Sequence, residues 1–258
     1  DENGMLVGNN VTSDPAIRQA LNIGIDRKTI IENALGGFGK PTMNFAEALS
    51  WANNDLQESD NRVDEAVKIL EAAGWVDTDG DGIREKNGQK AEFVINGRSN
   101  DLQRYNTAVA LAQDAKKLGI NIIAKSTPWS EARKIARNIP TVWAIGDYTP
   151  QAIYNYFHSS QVGVNVINNS AMYRNPTVTA HIDRALAAAT DEEMLREFRA
   201  AQWDGVTGPK VDIPYLWIAT VQVPYFVNNQ LDLGQLRVGE RGQGMGILIT
   251  LDEWQWKK

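Results

Sequence analysis

Two short apolar runs, residues 91–96 and 120–124, flank one helical stretch over 101–118 that stops at Gly119. This order constrains the fold more than any other feature of the chain. A third apolar run over 141–145 follows a short helix after Trp129. Strand, helix, strand in succession predicts an α/β layer, with helices covering a sheet.

Helix signals frame that core. Asp14-Pro15 places a capping side chain before a proline at the first helical position, and Ile17, Ala20, Leu21 and Ile25 follow at near-helical spacing. Asp26 reads as the cap of a second helix, with Ile30, Ile31, Ala34 and Leu35 apolar and Gly36-Gly37 as its stop. The two could equally form one bent unit. Residues 38–60 are rich in Asn, Asp and Ser and read as a long loop. Val63, Ala66, Val67 and Leu70 form an i, i+3, i+4, i+7 stripe closed by Gly74. Two Ala-rich helices are predicted over 177–189 and 191–204, with Ile182, Leu186, Leu195 and Phe198 turned inward. Residues 213–227 are almost continuously apolar and aromatic, which suits one or two buried strands. The Gly-rich stretch from 228 to 258 reads as an incomplete unit.

Composition excludes several classes. The chain has 258 residues, 43% hydrophobic, enough for one large core or one and a half. Its 26 basic and 32 acidic side chains give a net charge of −6, and the basic residues form no stripe, which argues against nucleic acid as a partner. Cysteine is absent, so disulfides, thiolate metal sites and cysteine nucleophiles are excluded. No apolar run approaches the roughly 18 residues a membrane span needs. The polar opening residues show no signal peptide, so an exported chain would have lost its address.

Four stretches could carry chemistry. Asp77, Asp79 and Asp81 alternate before glycines, as in a calcium loop, but Gly88 stands where a bidentate Glu belongs. The competing reading is a tight Asp/Gly hairpin turn. The two histidines, His158 and His181, match no triad or zinc pattern. His158 lies at a helix end, within reach of last-turn carbonyls, and His181 on a partly exposed helix face. Residues 239–244 lack the Lys-Ser/Thr ending of a phosphate cradle and read as a surface loop. The most informative stretch is 141–158. There Asp147 follows the predicted strand, Tyr148 is its neighbour, and Thr149-Pro150 opens a helix. In open α/β sheets ligands bind beyond strand ends, and an aspartate there can receive a ligand ammonium. Asp147 could equally cap the Pro150 helix. Trp143 and Tyr154 are the flanking aromatic candidates for a ligand site, although such residues often serve a core.

Several segments then resemble one family in the right order. Asp14-Pro15-Ala16-Ile17-Arg18-Gln19-Ala20-Leu21, Gly24-Ile25-Asp26-Arg27 and the Gly-Gly-Phe-Gly-Lys-Pro stretch come first. The run from Glu65 to Trp75, Asp79 to Arg84, Lys117 to Ile120, Asn168-Asn169, Tyr173-Arg174-Asn175-Pro176 and Ile182-Asp183 follow. Together they resemble family 5 solute-binding proteins of peptide/nickel-type ABC importers. The resemblance implies an α/β, periplasmic binding protein-like lobe with a mixed sheet flanked by helices. It further implies the C-terminal part of a two-lobed, type II binding protein, with residues 1–212 the ligand-binding lobe and 213–258 a segment returning toward a missing N-terminal lobe. It also implies periplasmic or extracytoplasmic location, a peptide, small-molecule or nickel-complex ligand, ABC permease subunits as partners, no cofactor and no catalysis. The acidic position that receives the ligand ammonium in peptide-binding relatives falls on Asp147, although Trp143 stands four residues before it rather than three. In the family the Asp/Gly turn recurs as a hairpin, which weakens the calcium reading. An α/β hydrolase or transferase and a protein-binding sensor lobe are the rival readings. The missing nucleophile, base and cofactor motifs weigh against the enzyme.

Overall fold

Asp14 does two jobs. Its carboxylate accepts the Ala16 N–H at 2.9 Å and so caps α1 (Pro15–Gly24). The other oxygen accepts the Trp75 indole N–H at 3.0 Å and the Lys86 ammonium at 2.7 Å, joining the helix start to two distant segments. α2 (Arg27–Leu35) is a separate helix, capped by Asp26 through the Thr29 N–H and ended by Gly36 in the left-handed region. Between them Ile25 is extended and fully buried. The break is stitched by other elements: Asn61 and Arg62 donate to the Ile25 and Ile23 carbonyls, and Asp114 accepts the Asp26 N–H. The structure, a computed structural model, describes residues 6–46, 49, 51–56, 58–147, 149–235 and 246–257.

α3 (Val63–Ala72) packs on α1, and Ala66 and Leu70 are fully buried. The approach is so close that a Cβ on Gly24 would lie 2.8 Å from the Ala66 Cβ and from a Leu118 methyl. A short hairpin of β2 (Glu85–Lys86) and β3 (Gln89–Lys90) leads into β4 (Glu92–Arg98). α4 (Leu102–Ala115), capped by Asp101, then crosses to β5 (Asn121–Thr127). β4 and β5 pair in parallel from Glu92↔Asn121 to Arg98↔Thr127, with α4 on the sheet. At Gly97 a Cβ would meet the Tyr105 Cα at 2.5 Å, so only glycine lets α4 lie this close. The α/β layer is therefore as expected, but its third strand is not. Only Thr141 bridges to Asn96, and 142–147 run on without a ladder because Val142 to Ile145 border a cleft instead of another strand.

These elements enclose one apolar cluster. A second is built from Trp51, α6 (Gln151–Phe157), α7 (Pro176–Ala187) and α8 (Asp191–Gln202), α5 (Trp129–Ile135) having come between β5 and α6. Phe45 sits within 6 Å of four rings there: Trp51, Tyr156, Phe157 and Trp217. Ile182 and Phe198 are buried and Leu195 packs against the cluster, but Leu186 is 48% exposed. It lies at the last turn of α7.

After α9 (Pro209–Asp212) the chain runs extended. Tyr215 and Trp217 pack on the second cluster, while Leu216 and Ile218 pack on the first. Alternate side chains of one extended segment thus join the two cores, which explains its nearly continuous apolar sequence. Only β6 (Ala219–Val221) forms a ladder, antiparallel to β1 (Gly39–Pro41). From Val221 to Val227 the chain is exposed, Phe226 completely, so the buried strands expected over 213–227 reduce to one short strand. β7 (Leu231–Asp232) and β8 (Gln255–Trp256) close the described chain.

Arg27 ties the joining segment to the rest. Its guanidinium, fully buried, donates to the Trp217 carbonyl at 2.8 Å, to Thr42 O at 3.1 Å and to Asn22 O and Oδ1 at 2.8 Å each. Asp60 lies 3.4 Å away as counter-charge. Truncating a buried, fully bonded cation leaves these acceptors unpaired, so Arg27→Ala is expected to lower stability by about 3–5 kcal/mol. Urea denaturation of the two proteins checks this.

Acid acts on the same framework. Burial alone would raise the Asp14 carboxyl, but the bonds from Lys86, the Ala16 N–H and Trp75 outweigh it and hold it below the usual range. Asp26 is held down by Thr29 and Lys117 in the same way, and Glu197 by His181 and Arg184. A carboxyl lowered in the folded state stabilises fully above its unfolded value, and that stability is lost as pH falls through the folded value. The melting temperature should hold from neutrality to about pH 5 and fall steadily below about pH 4. Asp14→Asn should flatten part of that acid slope in a pH series of thermal melts.

Candidate functional site

The two clusters leave a cleft of about 1280 Å³ between them. Phe93, Ile95 and Ile122 of the β4–β5 sheet form one side, Tyr156 and residues 170–176 the other, and the extended segment 212–221 runs along it. The crossover positions this cleft: the chain leaves the β4 edge at Thr141 and passes down the wall as Val142 to Asp147.

Asp147 stands on that wall. Its Oδ1 accepts the Thr149 N–H at 2.9 Å and the Thr149 hydroxyl at 2.7 Å, closing a local turn before α6. The residue at the cap of α6 is Pro150, which offers no side-chain bond. Asp147 has no ion-pair partner among the described residues. Its charge reaches Tyr156: burial first, with Tyr215 and Asp147 adding to it, pushes the Tyr156 hydroxyl up to about 12. Trp143 lines the cleft as well, its ring 4.6 Å from that of Trp129, over which the Arg98 guanidinium sits at 5.1 Å. This stack holds Trp143 beside the cleft through ring contacts.

Tyr148 lies outside the described residues. Tyr154 is not part of the wall: its hydroxyl meets Ser160 Oγ at 3.2 Å and its ring lies 4.8 Å from that of His158. The structure therefore brings Asp147 and Trp143 together and adds residues that the sequence reading did not select, chiefly Tyr156, Tyr173, Arg174, Asp212 and Trp217. The alternation of Tyr215 and Trp217 with Leu216 and Ile218 was the available signal for the last of these.

Asp212 organises the far end. Its Oδ2 accepts the Tyr173 hydroxyl at 2.5 Å and Asn175 Nδ2 at 3.0 Å, and its carbonyl accepts Arg18 Nε at 3.1 Å. Burial, followed by the Asp212 carboxylate, pushes the Tyr173 hydroxyl far up, so it remains a donor. The next residue, Ile213, is buried in the left-handed region at φ 46°. A β-branched residue there costs about 1–2 kcal/mol, which the surrounding packing offsets.

Two other clusters resolve as structural. His158 does not bond last-turn carbonyls. Its Nδ1 accepts the Ser160 N–H at 3.1 Å, capping the turn that follows, because α6 ends before the ring can turn back. Ser160 Oγ, the imidazole and Asp183 stand in line at 2.7 and 3.1 Å. However, the Ser160 and Gln161 amides are bonded to His158 itself, leaving no donor pair there for an oxyanion. His181 pins α7 to α8 through Glu197 at 2.8 Å.

Asp77, Asp79 and Asp81 do converge, with Glu85 as the fourth oxygen donor, all within 4.8 Å of one another. The Lys90 ammonium from β3 stands among them, bonded to Asp81, 3.3 Å from Asp79 and 3.7 Å from Glu85. Asp77 accepts the Gly80 and Gly82 amides. The loop is a hairpin turn with an internal cation. Residues 239–244 lie outside the described residues.

The sequence of this chain matches the model of the bacterial extracellular solute-binding proteins, family 5 (middle), over residues 3–173. The chain belongs to that family. Members are substrate-binding proteins of ABC transporters, extracytoplasmic or periplasmic, and not enzymes. The family 5 chain is 25% identical over 257 residues to the oligopeptide-binding protein AppA of Bacillus subtilis, covering 95% of itself and 45% of that protein. It is 32% identical over 203 residues to Protein XP55 of Streptomyces lividans, covering 77% of itself and 37% of that protein. In structure it resembles NikZ of Campylobacter jejuni in complex with Ni(L-His), with a TM-score of 0.76 at 22% identity, covering 95% of itself and 49% of that chain. The fold is the α/β, type II periplasmic binding protein fold, and the chain spans about half the length of the relatives it matches. No helix among the described residues is long and apolar enough to cross a membrane.

With Lys90 already filling the acidic loop, added calcium must displace a bonded ammonium. Thermal melts of this family 5 protein in excess calcium and in chelator are expected to superimpose.

Proposed function

We propose that the chain is the ligand-binding part of an extracytoplasmic ABC-importer receptor. It captures a peptide, a peptide-like ligand or a nickel complex between this lobe and a second one, and delivers it to membrane permease subunits. The observation that carries this reading is Asp147, a carboxylate with no cation beside it among the described residues, bordering a large aromatic-lined cleft. A carboxylate with no internal cation is poised for a ligand ammonium, and the bond strengthens once closure excludes water. The relatives support the ligand class: AppA was solved with a nonapeptide and NikZ with Ni(L-His).

Residues 1–212 form the ligand-binding lobe, the C-terminal one of two; of the segment 213–258, residues 213–221 stay packed along its cleft and the chain beyond them returns toward the other lobe. The exposed apolar run from Val221 to Val227 supports this, since Phe226 has no cover among the described residues. No catalytic step and no cofactor enter this mechanism. Binding and lobe closure are sufficient.

Asp147→Asn in the full-length protein separates a binding role from a local structural one. Asparagine still accepts the Thr149 bonds but carries no charge. The expected result is affinity for free-amine peptides lowered by roughly 30-fold or more with the melting temperature kept, because a desolvated charge pair loses one partner. Unchanged affinity by calorimetry would remove Asp147 from the site.

A further inference from the structure

The cleft differs in charge from the protein around it. The chain as a whole carries −6, yet the charged residues bordering the cleft are four arginines and three aspartates. All four cations are guanidiniums, the side chain suited to forked recognition of carboxylates.

Three of the four are engaged. Arg18 donates to the carbonyls of Thr12, Ser13 and Asp212. Arg104 pairs with Asp101 one turn back on α4. Arg137 donates to the Asn165 carbonyl at 3.2 Å. Arg174 has neither a hydrogen bond nor an ion pair among the described residues, and its side chain is exposed at the cleft.

The backbone that presents Arg174 is nevertheless held on both sides. Tyr173 receives its fold from Asn169, whose Oδ1 accepts the Tyr173 N–H at 2.8 Å and whose Nδ2 donates to the Tyr173 carbonyl at 2.8 Å. Its hydroxyl is locked to Asp212. On the other side Asn175 caps α7 through the Thr177 and Val178 amides and donates to Thr207 and Asp212. Two neighbours pinned inward and one free guanidinium between them is the arrangement of a preorganised contact residue.

Resting on the cleft reading above, we infer that Arg174 receives a carboxylate of the ligand and is a specificity-determining residue. Among the described residues bordering the cleft, Arg174 has no bond at all, and Asp147 is bonded through Oδ1 alone, within its own turn, with no cation beside it; the two are of opposite sign. The preferred ligand is therefore zwitterionic, its cation at Asp147 and its carboxylate at Arg174. A neutral solute would leave both charges without partners after closure.

The test uses the full-length protein and pools of short peptides made of Gly, Ala and Leu. One pool has free carboxylates, a second has C-terminal amides, and a third has amides with one Glu added. Titration calorimetry gives the ratio of affinities between each acidic pool and the neutral amide pool. Wild-type protein is expected to favour at least one acidic pool by roughly tenfold or more, the usual range for a hydrogen bond to a charged group. The favoured pool tells whether the carboxylate is terminal or from a side chain. Arg174→Gln should bring that ratio close to one without moving the melting temperature, while Arg174→Lys should keep part of it, having charge but no fork. Asp147→Asn should weaken all pools and leave the ratio intact. Equal affinity of the wild type for acidic and neutral pools, or a ratio that survives in Arg174→Gln, would overturn the inference while leaving a peptide ligand in place. If none of the pools binds, the peptide reading itself falls and the inference with it.

Discussion

A single buried cation holds the two halves of this lobe in place. Arg27 has no exposure to solvent, and its donors reach α2's own neighbour Asn22, the loop at Thr42 and the extended segment at Trp217. Desolvating a guanidinium is expensive, and only a complete set of acceptors offsets it. The position of the joining segment therefore follows from the charge. Trp217 must lie where its carbonyl meets Arg27, and this sets Leu216 and Ile218 against one core and Tyr215 and Trp217 against the other. The cleft is the space that this arrangement leaves between the cores.

The cleft inherits its character from the same geometry. Asp212 anchors the start of the segment to Tyr173, Asn175 and Arg18, and Ile213 takes up a left-handed turn immediately after it. With Asp212 and Asp101 bonded to side chains of other residues, Arg174 and the second carboxylate oxygen of Asp147 are the charged atoms at the cleft without a bond among the described residues. An acidic protein thereby offers a cleft that can hold both ends of a dipolar solute, with the Trp129–Trp143 stack and Tyr156 supplying apolar surface between them.

Much of the framework was legible from local rules. Asp14-Pro15, Asp26, Gly36 and Gly119 marked helix ends because capping and left-handed turns depend on a few adjacent residues. The apolar runs around α4 marked the β4–β5 crossover for the same reason. The third strand was not legible because an apolar stretch beside a cleft has the same composition as one inside a sheet. Over 213–227, alternation between two cores looks like continuous burial. The partner of His158 is not legible either, because the choice between a preceding carbonyl and a following amide depends on where α6 ends.

By itself the sequence determined the α/β layer, most helix boundaries and the family. These depend on neighbours in the chain, or on motifs kept in order along it. Only the tertiary structure decided which charged groups are already bonded within the protein. Arg18, Arg104, Arg137 and Arg174 look alike in the sequence, as do Asp101, Asp147 and Asp212. Apart from the local Arg104–Asp101 and Thr149–Asp147 bonds, their partners lie on other elements or on backbone atoms, and pairing is a property of position in space. The acidic loop shows the same limit, because the cation that fills it is Lys90, brought across by the β2–β3 hairpin.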